Sequence, residues 1–172
     1  MYQPLDIVKS QGRCFVNVWG CLTHRGLGPI FRLDDTLTCA SYVDVISHVL
    51  VPYLLDDEGP FPDGCCFLQQ GTSVIHRAPE VTEEMQRLGL TVLPWPTESE
   101  DFSPMAEVWR RISSNICYRE LESADPDELW EVIVEQWNDL KADPDTMVSI
   151  VKCIPKRLVK VAFAGGDVCK SN

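Results

Sequence analysis

One β-α-β unit in the middle of the chain limits the fold more than any other feature. Residues 65–70, CCFLQQ, form a short apolar run, and residues 90–95, LTVLPW, form a second run that ends at prolines. Between them, residues 78–89, APEVTEEMQRLG, have the pattern of a helix with a glycine stop. Because a helix separates the two strands, the pattern predicts parallel pairing in one sheet. An α/β fold is therefore expected.

The N-terminal third predicts an antiparallel hairpin followed by a helix. CFVNVWG at 14–20 and GPIFRLDD at 28–35 are apolar runs joined by a glycine-rich turn. Thr38 is placed to cap the next helix, in which apolar residues recur at three- and four-residue spacing. We expect that helix to lie on the sheet and to end near the DDEGPFPDG turn.

The C-terminal half predicts three further helices. The first spans 105–120 and carries an apolar stripe, and the second begins with Asp125 as its cap. The third begins after Asp143 and is expected to be bent or interrupted at Pro155, because proline lacks an amide donor. The glycine pair at 165–166 is expected to end it.

Composition fits a single globular domain over 1–172. The chain has 172 residues, of which 45% are hydrophobic, enough for a core. Its net charge of −11 repels phosphate backbones, so unaided tight binding to DNA is disfavoured. The eight cysteines form no CxxC pair, and reduced, buried thiols are expected. Without a run of about 18 apolar residues, we expect no membrane span and a cytoplasmic or nuclear location.

Two segments carry the most specific signals: FLQQGTSVIH at 67–76 and LPWPTESEDFSPMAEVW at 93–109. Both closely resemble strings in mariner-type transposases of the Tc/mariner superfamily. Three further pieces occur in the family's order, namely VNVWGCLTHRGLGPIF, YVDVISHVLVPYL and IPKRLVKVAFAGG. The resemblance covers nearly the whole chain and identifies it as similar to the DDE catalytic domain of these enzymes.

This resemblance implies a ribonuclease H-like mixed sheet with helices on both faces. In the family, three acids hold two magnesium or manganese ions for phosphodiester transfer. The second and third acids match Gly71 and Ala106, and the strand that carries the first lies upstream of Met1. The resemblance therefore implies a truncated domain that lacks the first, central strand and the family's N-terminal DNA-binding domain. We expect it to have no catalytic residues and to bind no metal cofactor. Restoring Asp at 71 and Glu at 106 is not expected to restore strand transfer.

Three nearby acids are candidates to replace the missing ones. Glu107 follows the third acid position, but one step along a helix turns the side chain by about 100°. Asp101 matches an aspartate that the family keeps outside its metal-binding triad, and Asp6 aligns with the segment before the family's second core strand. An enzyme completed by residues from another chain is therefore the less favoured hypothesis.

Seven residues are candidates for nucleic-acid contact. His76 is either a relic ligand, a contact to nucleic acid, or a turn residue that caps the following helix. Gln69 and Gln70 either line a groove or serve structure at a strand end. Four basic residues without acidic neighbours either contact phosphates or form a solvated helix face. They are Lys152, Lys156, Arg157 and Lys160.

Loss of a central strand would leave two apolar sheet edges. These edges must meet each other, recruit the short LDIV segment, or pair with another chain. We expect a protein partner or a second copy to cover them. The favoured function is thus an inactive transposase-derived domain, either a relic or a domesticated interaction module; the alternative is a nucleic-acid-binding remnant without catalysis.

Overall fold

The computed structural model describes residues 2–9, 12–34, 36–97, 99, 102–117 and 125–163. Five strands are present in these ranges: β1 (Tyr2–Lys9), β2 (Gly12–Thr23), β3 (Gly26–Leu33), β4 (Phe67–Leu68) and β5 (Thr91–Val92). Six α-helices accompany them: α1 (Cys39–Val45), α2 (Val51–Leu55), α3 (Pro79–Arg87), α4 (Pro104–Cys117), α5 (Pro126–Lys141) and α6 (Pro144–Phe163). A π-helical turn (Ile46–Leu50) joins α1 to α2, and a 3₁₀ turn (Ile75–Arg77) precedes α3.

The strands form two separate sheets within the described residues. β1, β2 and β3 pair antiparallel in that order, which confirms the predicted hairpin. β4 and β5 pair parallel, as the β-α-β pattern predicts, although each is only two residues long. Among the residues that the structure describes, no ladder joins the two sheets.

Helices cover both faces of this strand layer. Side chains alternate along β2, so Val16 and Val18 face the core formed with α4, α5 and α6. Trp19 and Cys21 face the opposite core, formed with α1, α2 and α3. In the first core the rings of Trp109 and Trp137 pack with centroids 5.4 Å apart.

Local capping signals place most helix starts correctly. The Thr38 side chain accepts from the Ser41 amide, and the Ser41 hydroxyl accepts from the Thr38 amide, a complete capping box. Asp125 caps α5 through the Asp127 amide. The predicted interruption at Pro155 is wrong, because α6 continues through it to Phe163; the glycines at 165–166 lie outside the described residues.

The LDIV segment belongs to β1, which pairs with β2 along residues 12–19. Leu5 is buried in the α4–α6 core, so this short strand shields part of the β2 edge. Of the described cysteines, Cys14 and Cys21 are buried as expected, whereas the prediction is wrong for the exposed Cys65 and Cys117. None of the described helices is long and apolar enough to cross a bilayer.

Candidate functional site

The two specific sequence segments meet where β4 ends and α4 begins. The hydroxyl of Ser103 lies 3.4 Å from the side-chain oxygen of Gln69 and donates to it. Ser103 is almost fully buried, and its carbonyl accepts from the Ala106 amide in the first turn of α4. The segments that contain Gly71 and Ala106 therefore approach each other, as the resemblance implies.

Gly71 lies against a buried histidine. A Cβ added to Gly71 would lie 3.2 Å from Cε1 and 3.3 Å from Nδ1 of His76, so the imidazole ring occupies much of the adjacent space. His76 also packs edge-on against Tyr42, with ring centroids 4.7 Å apart. Its Nδ1 lies 2.9 Å from the Ser73 hydroxyl. This ring is part of a packed cluster and is not presented to solvent.

Gln70 forms hydrogen bonds with both Tyr42 and His76. Its side-chain oxygen accepts from the Tyr42 hydroxyl at 2.7 Å, and its side-chain nitrogen donates to the His76 carbonyl at 3.2 Å. Burial lowers the pKa of His76 to about 4, against a weaker opposing contribution from a hydrogen bond to the Gly71 carbonyl. At neutral pH His76 is therefore uncharged. The helix-capping role predicted for it is wrong, because Ala78 is the N-cap of α3.

Glu107 is paired with arginines of α4 and α6. Both its oxygens accept from Arg110, at 2.7 and 2.8 Å, and one also accepts from Arg111 at 2.9 Å. Arg157 of α6 lies 3.6 Å from the second oxygen. Arg110 holds the pKa of Glu107 at about 2, with a smaller contribution from Arg111, although burial opposes them. Sequence reasoning missed these arginine partners of Glu107.

The side chains at the junction do not fit a magnesium or manganese pair. Such ions require carboxylate oxygens to offset their charge, and the described donors there are an amide, hydroxyls and a neutral imidazole. Across the described residues, no group of three His, Cys, Asp or Glu side chains could hold a metal ion. Asp101 and Glu100 lie outside the described residues.

The four predicted basic residues lie on α6, whereas His76 lies in the 3₁₀ turn before α3. Lys152, Lys156 and Lys160 are exposed and recur every four residues, so they share one face of the helix. Arg157 lies on a different face and pairs with Glu107. The structure therefore separates the predicted set into a lysine row and an arginine that is already engaged.

A cavity of about 550 Å³ lies beside Gln69 and Gln70. Its walls are mostly apolar and come from four parts of the fold. They are the end of β2 (Trp19, Cys21, Leu22, Thr23), the α1–α2 region (Tyr42, Ile46, Leu50, Leu54), the β4 segment (Cys66, Phe67, Leu68), and α4 with α6 (Met105, Val151, Ile154). Sequence reasoning missed this cavity, because its walls come together only in the folded chain.

α6 also exposes an apolar face that sequence reasoning missed. Its exposed residues are Val148, Val151, Leu158, Val159 and Phe163. Their three-, four- and seven-residue spacing places them together beside the lysine row. The signal was present in the sequence, since apolar residues of α6 occur on more than one helical face. Exposed apolar faces of this kind commonly mark interaction surfaces.

Known transposases are similar to this chain in sequence. The chain is 23% identical over 163 residues to the Tcb2 transposase of Caenorhabditis briggsae, covering 94% of this chain and 56% of that protein. It is 25% identical over 156 residues to the Tc1 transposase of Caenorhabditis elegans, covering 90% and 54%. The chain thus spans about half the length of these relatives. No protein-family model matches it.

The fold has solved counterparts. The catalytic domain of Mos1 mariner transposase superimposes with a TM-score of 0.76 at 16% identity, covering 98% of this chain and 82% of that one. A Mos1 mariner paired-end complex with manganese matches with a TM-score of 0.75, covering 92% and 45%. By sequence and fold together, the chain is a homologue of the Tc1/mariner transposases and has the ribonuclease H-like fold of the mariner catalytic domain.

Proposed function

We propose that the chain is a catalytically inactive transposase-derived domain that acts by binding other macromolecules. The observation that carries this proposal is the junction of β4 and α4, where positions 71 and 106 hold glycine and alanine and no group of three His, Cys, Asp or Glu side chains among the described residues could hold a metal ion. Phosphodiester transfer through two metals needs ligands that a hydrogen atom and a methyl group cannot supply. Glu107 offers no replacement, since three arginines bind it elsewhere.

The surface supports an interaction role. The apolar face of α6 and the cavity beside β4 leave apolar side chains accessible, including Phe67 with 74% of its surface exposed. A net charge of −11 disfavours unaided contact with DNA and so favours protein partners as the bound macromolecules. A nuclear or cytoplasmic location belongs to the same proposal.

Calorimetric titration with manganese tests inactivity. We expect no saturable binding by the native chain. The double variant Gly71→Asp/Ala106→Glu is the matched positive control, because it places two carboxylates at the junction. Saturable binding of two ions by the native chain at micromolar affinity would overturn the proposal, as would nicking of plasmid DNA in manganese.

A second candidate is a nucleic-acid-binding remnant without catalysis, supported by the exposed row of Lys152, Lys156 and Lys160. If that row contacts phosphates, fluorescence anisotropy will show DNA binding that weakens steeply with salt. Lys156→Gln should then reduce the salt slope by about one unit. Lys141→Gln, which replaces an exposed lysine at the end of α5, is the control. Binding below detection at low salt would eliminate this candidate.

A further inference from the structure

Most of α6 has little contact with the core. Only Met147 and Ile150 are buried in this helix, and both lie in its first two turns. An ion pair between Arg157 and Glu107 ties the middle of the helix to α4. Residues 151–163 include no buried residue and extend about 20 Å along the helix axis. This part of α6 is therefore accessible to a partner.

One stripe of this exposed surface combines apolar and basic side chains. Its members follow spacings of four, seven and eleven residues, which return to within about 40° of the same direction on a helix. They are Val148, Lys152, Lys156, Val159 and Phe163. The two valines are 46% and 53% exposed, and the phenylalanine is 89% exposed. We call this set the outward stripe, because it points away from the buried residues of α6.

α6 differs in charge from the rest of the chain. Its net charge is +3, from four basic residues and Asp145, so the total of −11 leaves −14 on all other residues. A ligand of the outward stripe therefore needs apolar surface to cover Val159 and Phe163. It also needs acidic groups to pair with Lys152 and Lys156.

Three kinds of occupant match the outward stripe poorly. DNA supplies anionic phosphates but leaves the apolar side chains of the stripe uncovered. An anionic membrane is a wide surface, so it would bring the acidic remainder of the chain within a Debye length, about 8 Å, of its headgroups. A second copy packed stripe against stripe would place lysines against lysines, which is repulsive.

We propose that the outward stripe binds in an apolar groove edged with carboxylates, on a partner protein whose methionine-rich groove opens when it binds calcium. A groove takes up the helix and contacts little else, so the acidic remainder of the chain stays outside it. Methionine side chains adapt to irregular surfaces, and here lysines interrupt the apolar side chains of the stripe. The inference deepens the proposed interaction role and rests on it.

The probe is calcium-loaded calmodulin. The same protein with its calcium chelated is the control, because its groove is then closed while its acidic groups remain. Calorimetric titration of the folded native chain should show binding at least about tenfold tighter with calcium than without it. Equal binding in the two states would indicate charge attraction alone and would overturn the proposal. Absence of binding at about 0.1 mM of the calcium-loaded probe would also overturn it.

Two neighbouring residues of α6 give a matched test of place. Val159 and Leu158 are 53% and 52% exposed, but they point about 100° apart, and only Val159 belongs to the outward stripe. Val159→Ser should weaken binding of the probe about fivefold or more, whereas Leu158→Ser should change it less than about twofold. Circular dichroism checks that both variants keep the fold. Equal effects of the two substitutions would contradict the proposal.

Two further measurements address the other occupants, and either positive result would overturn the proposal. Binding to phosphatidylserine vesicles as tight as binding to the probe would assign the stripe to a membrane. A dimer of the free chain that Val159→Ser dissociates, seen by sedimentation equilibrium, would assign it to a second copy. Manganese binding by the native chain would contradict the inactive-domain proposal without affecting these results, so the two proposals can fail separately.

Discussion

Ser103 donates a hydrogen bond to Gln69 across 3.4 Å, which ties the start of α4 to the end of β4. Both residues occupy the segments with the strongest family resemblance, so the contact preserves the shape of the junction although neither group carries charge. The junction can keep its shape without metal-binding acids, because the shape depends on packing around Ser103 and β4. Metal chemistry instead depends on specific ionised oxygens.

Replacing Gly71 by Asp should raise the pKa of His76 from about 4 toward its ordinary value. A side chain at 71 begins 3.2 Å from the imidazole ring, and a carboxylate there stabilises the charged form. Gly71→Asn is the matched control, since it adds similar volume without charge. An NMR titration of the His76 ring protons measures the effect, and equal pKa values in the two variants would contradict it.

The buried, neutral His76 should make the protein less stable as the pH falls from about 6.5 to 4. In that window the unfolded chain binds a proton that the folded chain does not, so the free energy of unfolding increases with pH. The loss approaches 3 kcal/mol in order of magnitude. Urea denaturation at several pH values gives the slope. His76→Gln should reduce the pH dependence of the free energy of unfolding. An unchanged pH dependence in this variant would show that it comes from other groups.

Local sequence signals predicted the parts of the fold that depend on neighbouring residues. The Thr38 capping box, the start of α5 after Asp125 and the hairpin all depend on residues within a few positions. The π-helical turn at Ile46–Leu50 was not foreseen, because its apolar spacing also fits a regular helix. Continuation of α6 through Pro155 was missed for a related reason: proline weakens a helix, but burial of Met147 and Ile150 earlier in α6 holds the helix against the core.

The candidate site was only partly predictable from the sequence, because some of its contacts join residues that are far apart along the chain. The approach of the segments around Gly71 and Ala106 followed from the family resemblance. The arginine cluster around Glu107 did not, because Arg157 comes from a separate helix. The cavity was equally hidden, since Cys21, Cys66 and Ile154 become neighbours only after both helical layers pack.

Glu107→Gln should destabilise the fold by about 2 kcal/mol or more. The substitution removes the charge that balances Arg110, Arg111 and Arg157 while keeping nearly the same shape. Glu84→Gln is the matched control, because Glu84 makes a similar two-bond contact with Arg87 on a more exposed surface, and it should cost clearly less. Chemical denaturation measures both. Equal losses would mean that Glu107 acts as an ordinary surface ion pair.

Gly20→Ala should destabilise the protein by about 2–3 kcal/mol, because an added Cβ would lie 2.5 Å from Cη2 of Trp137. Neither partner can move easily: Gly20 belongs to β2, and the Trp137 ring is buried against Trp109, with its Nε1 donating to the Gly28 carbonyl. Trp137→Phe removes the clashing ring atoms but also costs packing and that hydrogen bond. In a double-mutant cycle, the double variant should therefore be more stable than the sum of the single losses predicts. Additive losses in chemical denaturation would show that Gly20 is required for its backbone rather than for the close approach of Trp137.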